Sequence, residues 1–319
     1  MKTISKILIF AFLVVLFFSC KKDRPTIPDI TTIAIDSILD KTVISGGNIT
    51  SDNRGEITAR GVCWSTDHNP TTSDGTTSDG TGTGSFKSKP TGLLPITTYY
   101  LRAYATNSAG TAYGNELSFK TFAAADKDGN VYNSVTIGSQ IWLDENLKTT
   151  KFSDGSSIPN VTSDITWANL STGAFCWLNN DEGTYKATYG GLYNWYSVST
   201  GKLCPNGWHV PSDSEVTVLT DFLGGIEVAG GKMKEVGTAH WTSPNTGATN
   251  SSGFTSLAAG QRHTDGTFGD FGLGTGWWTS TPYNELKPWY FSNWYSNIME
   301  GRGNGTLNNV GLSIRCVKN

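Results

Sequence analysis

Charge is scarce in this chain and nowhere concentrated. Only 16% of its 319 residues are Asp, Glu, Lys or Arg, the formal net charge is -3, and no basic cluster follows the Lys21-Lys22 pair. A nucleic-acid partner calls for a basic patch and a high pI, so none is expected. Common catalytic motifs are missing too. The sequence has no G-x-S-x-G, no H-E-x-x-H and no C-x-x-C, and its nearest approach to a phosphate loop, Gly230-Gly231-Lys232, carries Ile226 where the first glycine belongs. Its four histidines, at 68, 209, 240 and 263, are scattered singly. His209, between Trp208 and Val210, reads as a satisfied core residue rather than a ligand. Long apolar runs are absent beyond residue 18, so no later segment offers the ~20 apolar residues a transmembrane helix needs.

What is present begins with an export signal. Lys2 and Lys6 precede an apolar run of twelve residues, Ile7 to Phe18, which is too short to span a bilayer and fits a signal-peptide core. Ser19-Cys20 at its end resembles a bacterial lipobox, with Phe17 standing where Leu is usual. The resemblance implies removal of residues 1–19, lipidation of Cys20, and a chain anchored through lipid to the cell envelope, with the outer membrane as the expected location. Residues 20–29 are charged, contain Pro25 and Pro28, and read as a tether. The remainder is long enough for two domains of ~100 to 200 residues each. Tryptophan divides them: only Trp64 precedes residue 125, while ten lie between Trp142 and Trp294. Phe122-Ala123-Ala124-Ala125 marks the join.

Residues 30–122 alternate apolar and polar positions in short runs broken by turn residues, an all-β pattern. Strands are expected at Thr32 to Ile38, Thr42 to Ile49, Glu56 to Ser65, Ser85 to Ser88, Tyr99 to Thr106 and Ala112 to Thr121, with a long surface loop from Asp67 to Gly84. Leu93-Leu94-Pro95-Ile96-Thr97-Thr98-Tyr99 resembles the L-x-P-x-T-x-Y signature of fibronectin type III modules, which implies an Ig-like sandwich with a tyrosine corner at Tyr99. Period-two alternation turns Tyr99, Leu101, Ala103 and Ala105 inward and Tyr100, Arg102 and Tyr104 outward. Cys63, between Val62 and Trp64, reads as a buried free thiol.

The second region, 126–319, carries a different set of blocks. Asp126-Lys-Asp128-Gly129-Asn130-Val-Tyr132, Ile137-Gly138-Ser-Gln140-Ile-Trp142, Gly191-Leu192-Tyr193-Asn194-Trp195, Cys204-Pro205-Asn206-Gly207-Trp208-His209-Val210-Pro211 and Arg315-Cys316-Val317 resemble the Fibrobacter succinogenes major paralogous domain, a module of lipoproteins and surface proteins in Bacteroidetes-type bacteria. Val216 replaces the Trp usual in that family. The Cys-Pro-x-Gly-Trp and Arg-Cys blocks of the resemblance imply a Cys204–Cys316 disulfide in an exported chain, with Cys176 left reduced and buried. An α+β domain is expected. Its clearest helix follows Pro211, with a Ser212/Glu215 capping box, a stripe of Val216, Leu219, Phe222 and Leu223, and termination at Gly224-Gly225; a shorter one spans Leu192 to Val198. Trp278-Thr-Ser-Thr281 and Gly311 to Cys316 resemble parts of the formylglycine-generating and C-type lectin-like folds.

Two oxygen-rich stretches invite a calcium reading. In Asp126, Asp128 and Asn130 the glycine sits one place early and Ile137 replaces the bidentate Glu, so a hairpin turn is preferred. Asn179, Asn180 and Asp181 offer ligands as well, against the plainer reading of a solvated turn. No other cofactor is expected. The candidate ligand surface is the aromatic segment holding Trp277, Trp278, Tyr283, Trp289 and Trp294, partly in loop because of Pro282, Asn284, Pro288 and Asn293. The expected function is that of a non-catalytic envelope lipoprotein, binding a glycan or an envelope or host protein through its second domain. A structural envelope component comes next. An enzyme of the formylglycine-generating kind comes last, since Cys316 alone does not supply the reactive cysteine arrangement that chemistry needs.

Overall fold

The computed structural model describes residues 24–284, 287–304 and 307–319. The signal segment and Cys20 lie outside the described residues. Among those described, no helix is long and apolar enough to cross a membrane.

The first region contains eight strands: β1 (Asp29–Ile38), β2 (Val43–Ser51), β3 (Ala59–Ser65), β4 (Gly75–Thr76), β5 (Gly84–Ser88), β6 (Thr98–Asn107), β7 (Gly110–Tyr113) and β8 (Leu117–Lys120). They form two antiparallel sheets, β1-β2-β5 and β4-β3-β6-β7, with β8 also paired to β6. Val43, Ile49, Val62, Phe86, Leu101, Ala103 and Phe119 fill the space between them, as alternation requires. The tyrosine corner is built: the Tyr99 hydroxyl accepts a 3.1 Å hydrogen bond from the Leu94 amide.

Two expectations change here. The run Ala112 to Thr121 is two strands, because the chain leaves the β6 ladder at Asn115 to bond β1. Asn115 Oδ1 accepts from the Thr32 amide at 3.0 Å and its carbonyl from the Thr32 hydroxyl at 2.6 Å. A Cβ at Gly114 would lie 2.5 Å from the Thr32 nitrogen, so only glycine permits that approach. Tyr104 does face away from the sandwich core, yet it is buried. The stretch from Asp67 to Gly84 folds over that face, pairing β4 with β3, and Tyr104 donates its hydroxyl to the Thr77 carbonyl at 2.7 Å.

At the junction the main chain carries no slack. The Phe122 amide donates to Leu39 O in the first region, and the next amide, Ala123, donates to Tyr132 O in the second. The strands that follow are β9 (Ala124–Ala125), β10 (Val131–Tyr132), β11 (Ser134–Ile137), β12 (Gln140–Leu143), β13 (Phe175–Trp177), β14 (Gly191–Tyr193), β15 (Trp208–His209), β16 (Ala259–Arg262), β17 (Phe268–Phe271), β18 (Gly274–Asn284), β19 (Lys287–Trp294), β20 (Glu300–Gly303) and β21 (Val317–Lys318). Two larger sheets organise the second region, β11-β12-β21-β15 and β17-β16-β18-β19-β20.

Among the described residues five α-helices pack around them: α1 (Asp164–Ala168), α2 (Glu182–Tyr189), α3 (Trp195–Val198), α4 (Asp213–Phe222) and α5 (Ile226–Met233). The capping box of α4 is present, with Ser212 and Glu215 each bonding the other's amide. Its stripe is narrower than expected: Val216, Leu219 and Leu223 are buried, but Phe222 is 63% exposed. The stretch Leu192 to Val198 is not one helix. Gly191–Tyr193 pairs with β13, and α3 starts after Asn194, whose side chain accepts from the Ser197 amide and so caps it.

Candidate functional site

Apart from residues 285 and 286, which lie outside the described residues, the aromatic segment is two paired strands that hold Pro282, Asn284, Pro288 and Asn293. β18 and β19 pair from Gly274↔Trp294 to Asn284↔Lys287, with register shifts on either side of Pro282 that admit the prolines. This pairing sorts the expected ligand residues. Trp277 and Trp278 are fully buried on opposite faces and are excluded from any ligand surface. Trp277 stacks on Phe291 and donates its indole N–H to Asn146, and Trp278 donates to Tyr193 O at 2.8 Å. Polar partners for both indole groups mark them as core. Tyr283 is 55% exposed and meets the half-buried Trp289 edge-on at 5.5 Å. Trp294 is also half-buried.

Around Trp294 the sheet forms a pocket of about 120 Å³, with Tyr290, Ser292, Leu312, Gln261 and Asp270 among its walls and Gly260, Gly274 and Gly276 as its floor. Glycine at 274 lets the aromatic wall lie close against the strand. A Cβ on Gly274 would stand 2.8 Å from the Trp294 ring, which folds across that glycine from the neighbouring strand. The polar wall is an amide–carboxylate pair, in which Gln261 Nε2 donates to Asp270 Oδ2 at 2.6 Å. Asp270 holds φ at 63°, a left-handed conformation that Asp tolerates better than most residues. Sequence reading found Trp294 but missed Gln261 and Asp270, which belong to no motif and meet Trp294 only through the β17-β16-β18-β19 order.

The remaining candidates separate cleanly. Asp181 caps α2, its carboxylate accepting from the Thr184 amide at 3.1 Å, while Asn180 donates to Thr162 O. Asn179 and Asn180 both take positive φ to make that turn. Among the described residues no three His, Cys, Asp or Glu side chains converge as metal ligands. Asp126, Asp128 and Asn130 form the β9–β10 turn: Asp126 Oδ1 accepts from the Asp128 and Asn130 amides at 2.9 Å.

His209 is not a core residue. It is half-exposed, 2.9 Å from Glu215 and 2.8 Å from Asn319, and ties the start of α4 to the end of the domain. Burial pushes the Glu215 carboxyl up, but hydrogen bonds from the Ser212 amide and hydroxyl and from His209 outweigh it and hold the group below its ordinary value.

Cys204 and Cys316 form a disulfide across 112 residues, and Cys63 and Cys176 are buried free thiols. Burial pushes the thiol of Cys63 up to about 11 and that of Cys176 up to about 12.

A β-sandwich runs without slack into a disulfide-closed, tryptophan-rich region of short strands and a few helices. The chain belongs to the Fibrobacter succinogenes major domain family, whose model matches residues 135–318. No curated protein compared with the chain matches it. Solved structures similar to it include the sensor domain of the anti-sigma factor RsgI4 of Pseudobacteroides cellulosolvens, 17% identical over 30% of this chain and 95% of that one, with TM-score 0.24. A fibronectin type III domain from the human KIAA0970 protein is 16% identical over 29% and 72% of the two chains, TM-score 0.23. The fourth FNIII domain of a human protein is 21% identical over 34% and 88%, TM-score 0.24.

Proposed function

We propose that this is a non-catalytic envelope lipoprotein whose second domain binds extracellular glycan through the Trp294 pocket, with the sandwich as its spacer from the membrane. The observation that carries the reading is the pocket's composition: a half-exposed indole beside a hydrogen-bonded amide and carboxylate, over a glycine floor. Aromatic rings stack on apolar sugar faces while neighbouring polar groups take the hydroxyls.

The cysteines support a role without catalysis. Cys316 is held in a disulfide, and the two free thiols are buried and resist ionisation. A C-type lectin-like arrangement of the second domain is part of the proposal. It rests on the segments Trp278 to Thr281 and Gly311 to Cys316.

The test has two arms. Metabolic labelling with a palmitate analogue should mark the wild type and not Cys20→Ala, which should also leave the envelope fraction; an expressed but unlabelled wild type ends the lipoprotein reading. On a glycan array, the mature protein should bind and Trp294→Ala should not. A purely structural envelope protein would show no glycan binding in either form.

A further inference from the structure

The pocket's electrostatics narrow the ligand further. Among its lining residues Asp270 carries the sole formal charge, and no Lys or Arg faces it there. The carboxylate is fixed in position on two sides. Its main chain holds φ at 63°, and the Gln261 amide grips Oδ2 at 2.6 Å. Gly260 draws β16 and β17 together, since a Cβ there would lie 2.5 Å from Gly269 O and 2.9 Å from the Phe271 nitrogen. That approach sets Gln261 beside Asp270 at the pocket edge.

With one Gln261 N–H committed to Oδ2, Asp270 Oδ1 and the Gln261 carbonyl oxygen are left as acceptors, while the second Gln261 N–H can donate and the Ser292 hydroxyl can both donate and accept. Acceptors on one wall and an indole on another match a ring that has C–H groups on its face and hydroxyl donors on its rim. An anionic substituent would instead bring negative charge against Asp270 in a partly desolvated site, with no cation among the lining residues to offset the repulsion.

We infer that the pocket takes a neutral pyranose and rejects uronic, sialic and sulfated sugars, with Asp270 as the specificity-determining residue. The inference rests on the glycan reading above and adds the class of sugar.

Titration of the full mature protein, followed by tryptophan fluorescence and by saturation-transfer NMR, tests it. The probes are methyl glucoside, methyl galactoside, methyl mannoside and N-acetylglucosamine against glucuronate, galacturonate and N-acetylneuraminate. At least one neutral sugar should bind, with the acidic sugars about tenfold weaker or worse. Asp270→Asn should weaken the neutral sugar by about 10- to 100-fold, the loss of one charge-assisted hydrogen bond, and narrow the gap to the acidic sugars. Should that variant melt early, the wild-type panel decides by itself. Neutral and acidic sugars binding equally, in a manner abolished by Trp294→Ala, would overturn the charge selectivity and leave the glycan pocket standing. Binding of no sugar, or binding untouched by Trp294→Ala, would remove the pocket reading along with it.

Discussion

The buried ammonium of Lys234 donates a 2.9 Å hydrogen bond to the main-chain carbonyl of Trp294. The same nitrogen reaches Thr246 O at 2.9 Å and Asn297 O at 2.7 Å, and it lies 5.5 Å from the Trp241 ring centre. One charge therefore ties the backbone of the pocket's aromatic wall to two neighbouring loop carbonyls.

Replacing this side chain tests the hold. Lys234→Met removes the donor to three main-chain carbonyls and should cost about 2 to 4 kcal/mol. A pH signature accompanies the loss. Burial pulls Lys234 from 10.5 down to about 8, so between those values the folded protein binds fewer protons than the unfolded chain. Wild-type stability should therefore rise relative to the Met variant as pH climbs from about 8 to 10.5. Paired thermal melts at both ends of that window decide, and a gap that shrinks with pH contradicts the buried cation.

The disulfide should contribute strongly to the second domain and little to the first. Closing a 112-residue loop is worth about 4 to 5 kcal/mol in the chain-entropy model. Reduction, or Cys204→Ser with Cys316→Ser, should lower the melting point of the tryptophan-rich unit. A non-reducing peptide map should place Cys63 and Cys176 in free-thiol peptides. Linkage of Cys176 to either partner would refute the assignment.

Tyr99→Phe should cost the sandwich about 1 to 2 kcal/mol, since the Leu94 amide loses its acceptor at 3.1 Å. Denaturant melts of the full chain monitor it. Glycan retention should not change.

Aromatic replacements should divide by face. Trp277→Ala removes a fully buried indole and should cost about 3 to 5 kcal/mol. Tyr283→Ala with Trp289→Ala should leave circular dichroism intact, because Tyr283 is exposed and Trp289 only half-buried. Unfolding of the double variant would make that pair core.

These outcomes trace how far local pattern reaches. The L-x-P-x-T-x-Y run and the Ser212/Glu215 box are complete within seven and four residues, and both appear as read because their partners are local in sequence. Phe222 and His209 were misread for a shared reason: composition says what a residue can do, while exposure depends on which element packs against it. The candidate ligand face failed in the same way. Trp277, Trp278 and Trp294 are alike in sequence, yet hairpin pairing and the helices packed against β18 bury two of them and leave the third at a pocket edge. Gln261 and Asp270 carried no signal at all, because their role comes from a parallel neighbour, β16 beside β18, that no short window contains.

The segment that locks the second domain is synthesised late. Arg315 bonds Asn146 across 169 residues and Leu143 across 172, and Val317 pairs with Trp142. Until that segment arrives, Asn146 lacks its Arg315 partner and β12, paired with β11 alone, has a free edge. The sandwich, complete by residue 120, has no such dependence. The first region can therefore complete its pairing while the second is still an open chain that waits for its last strand.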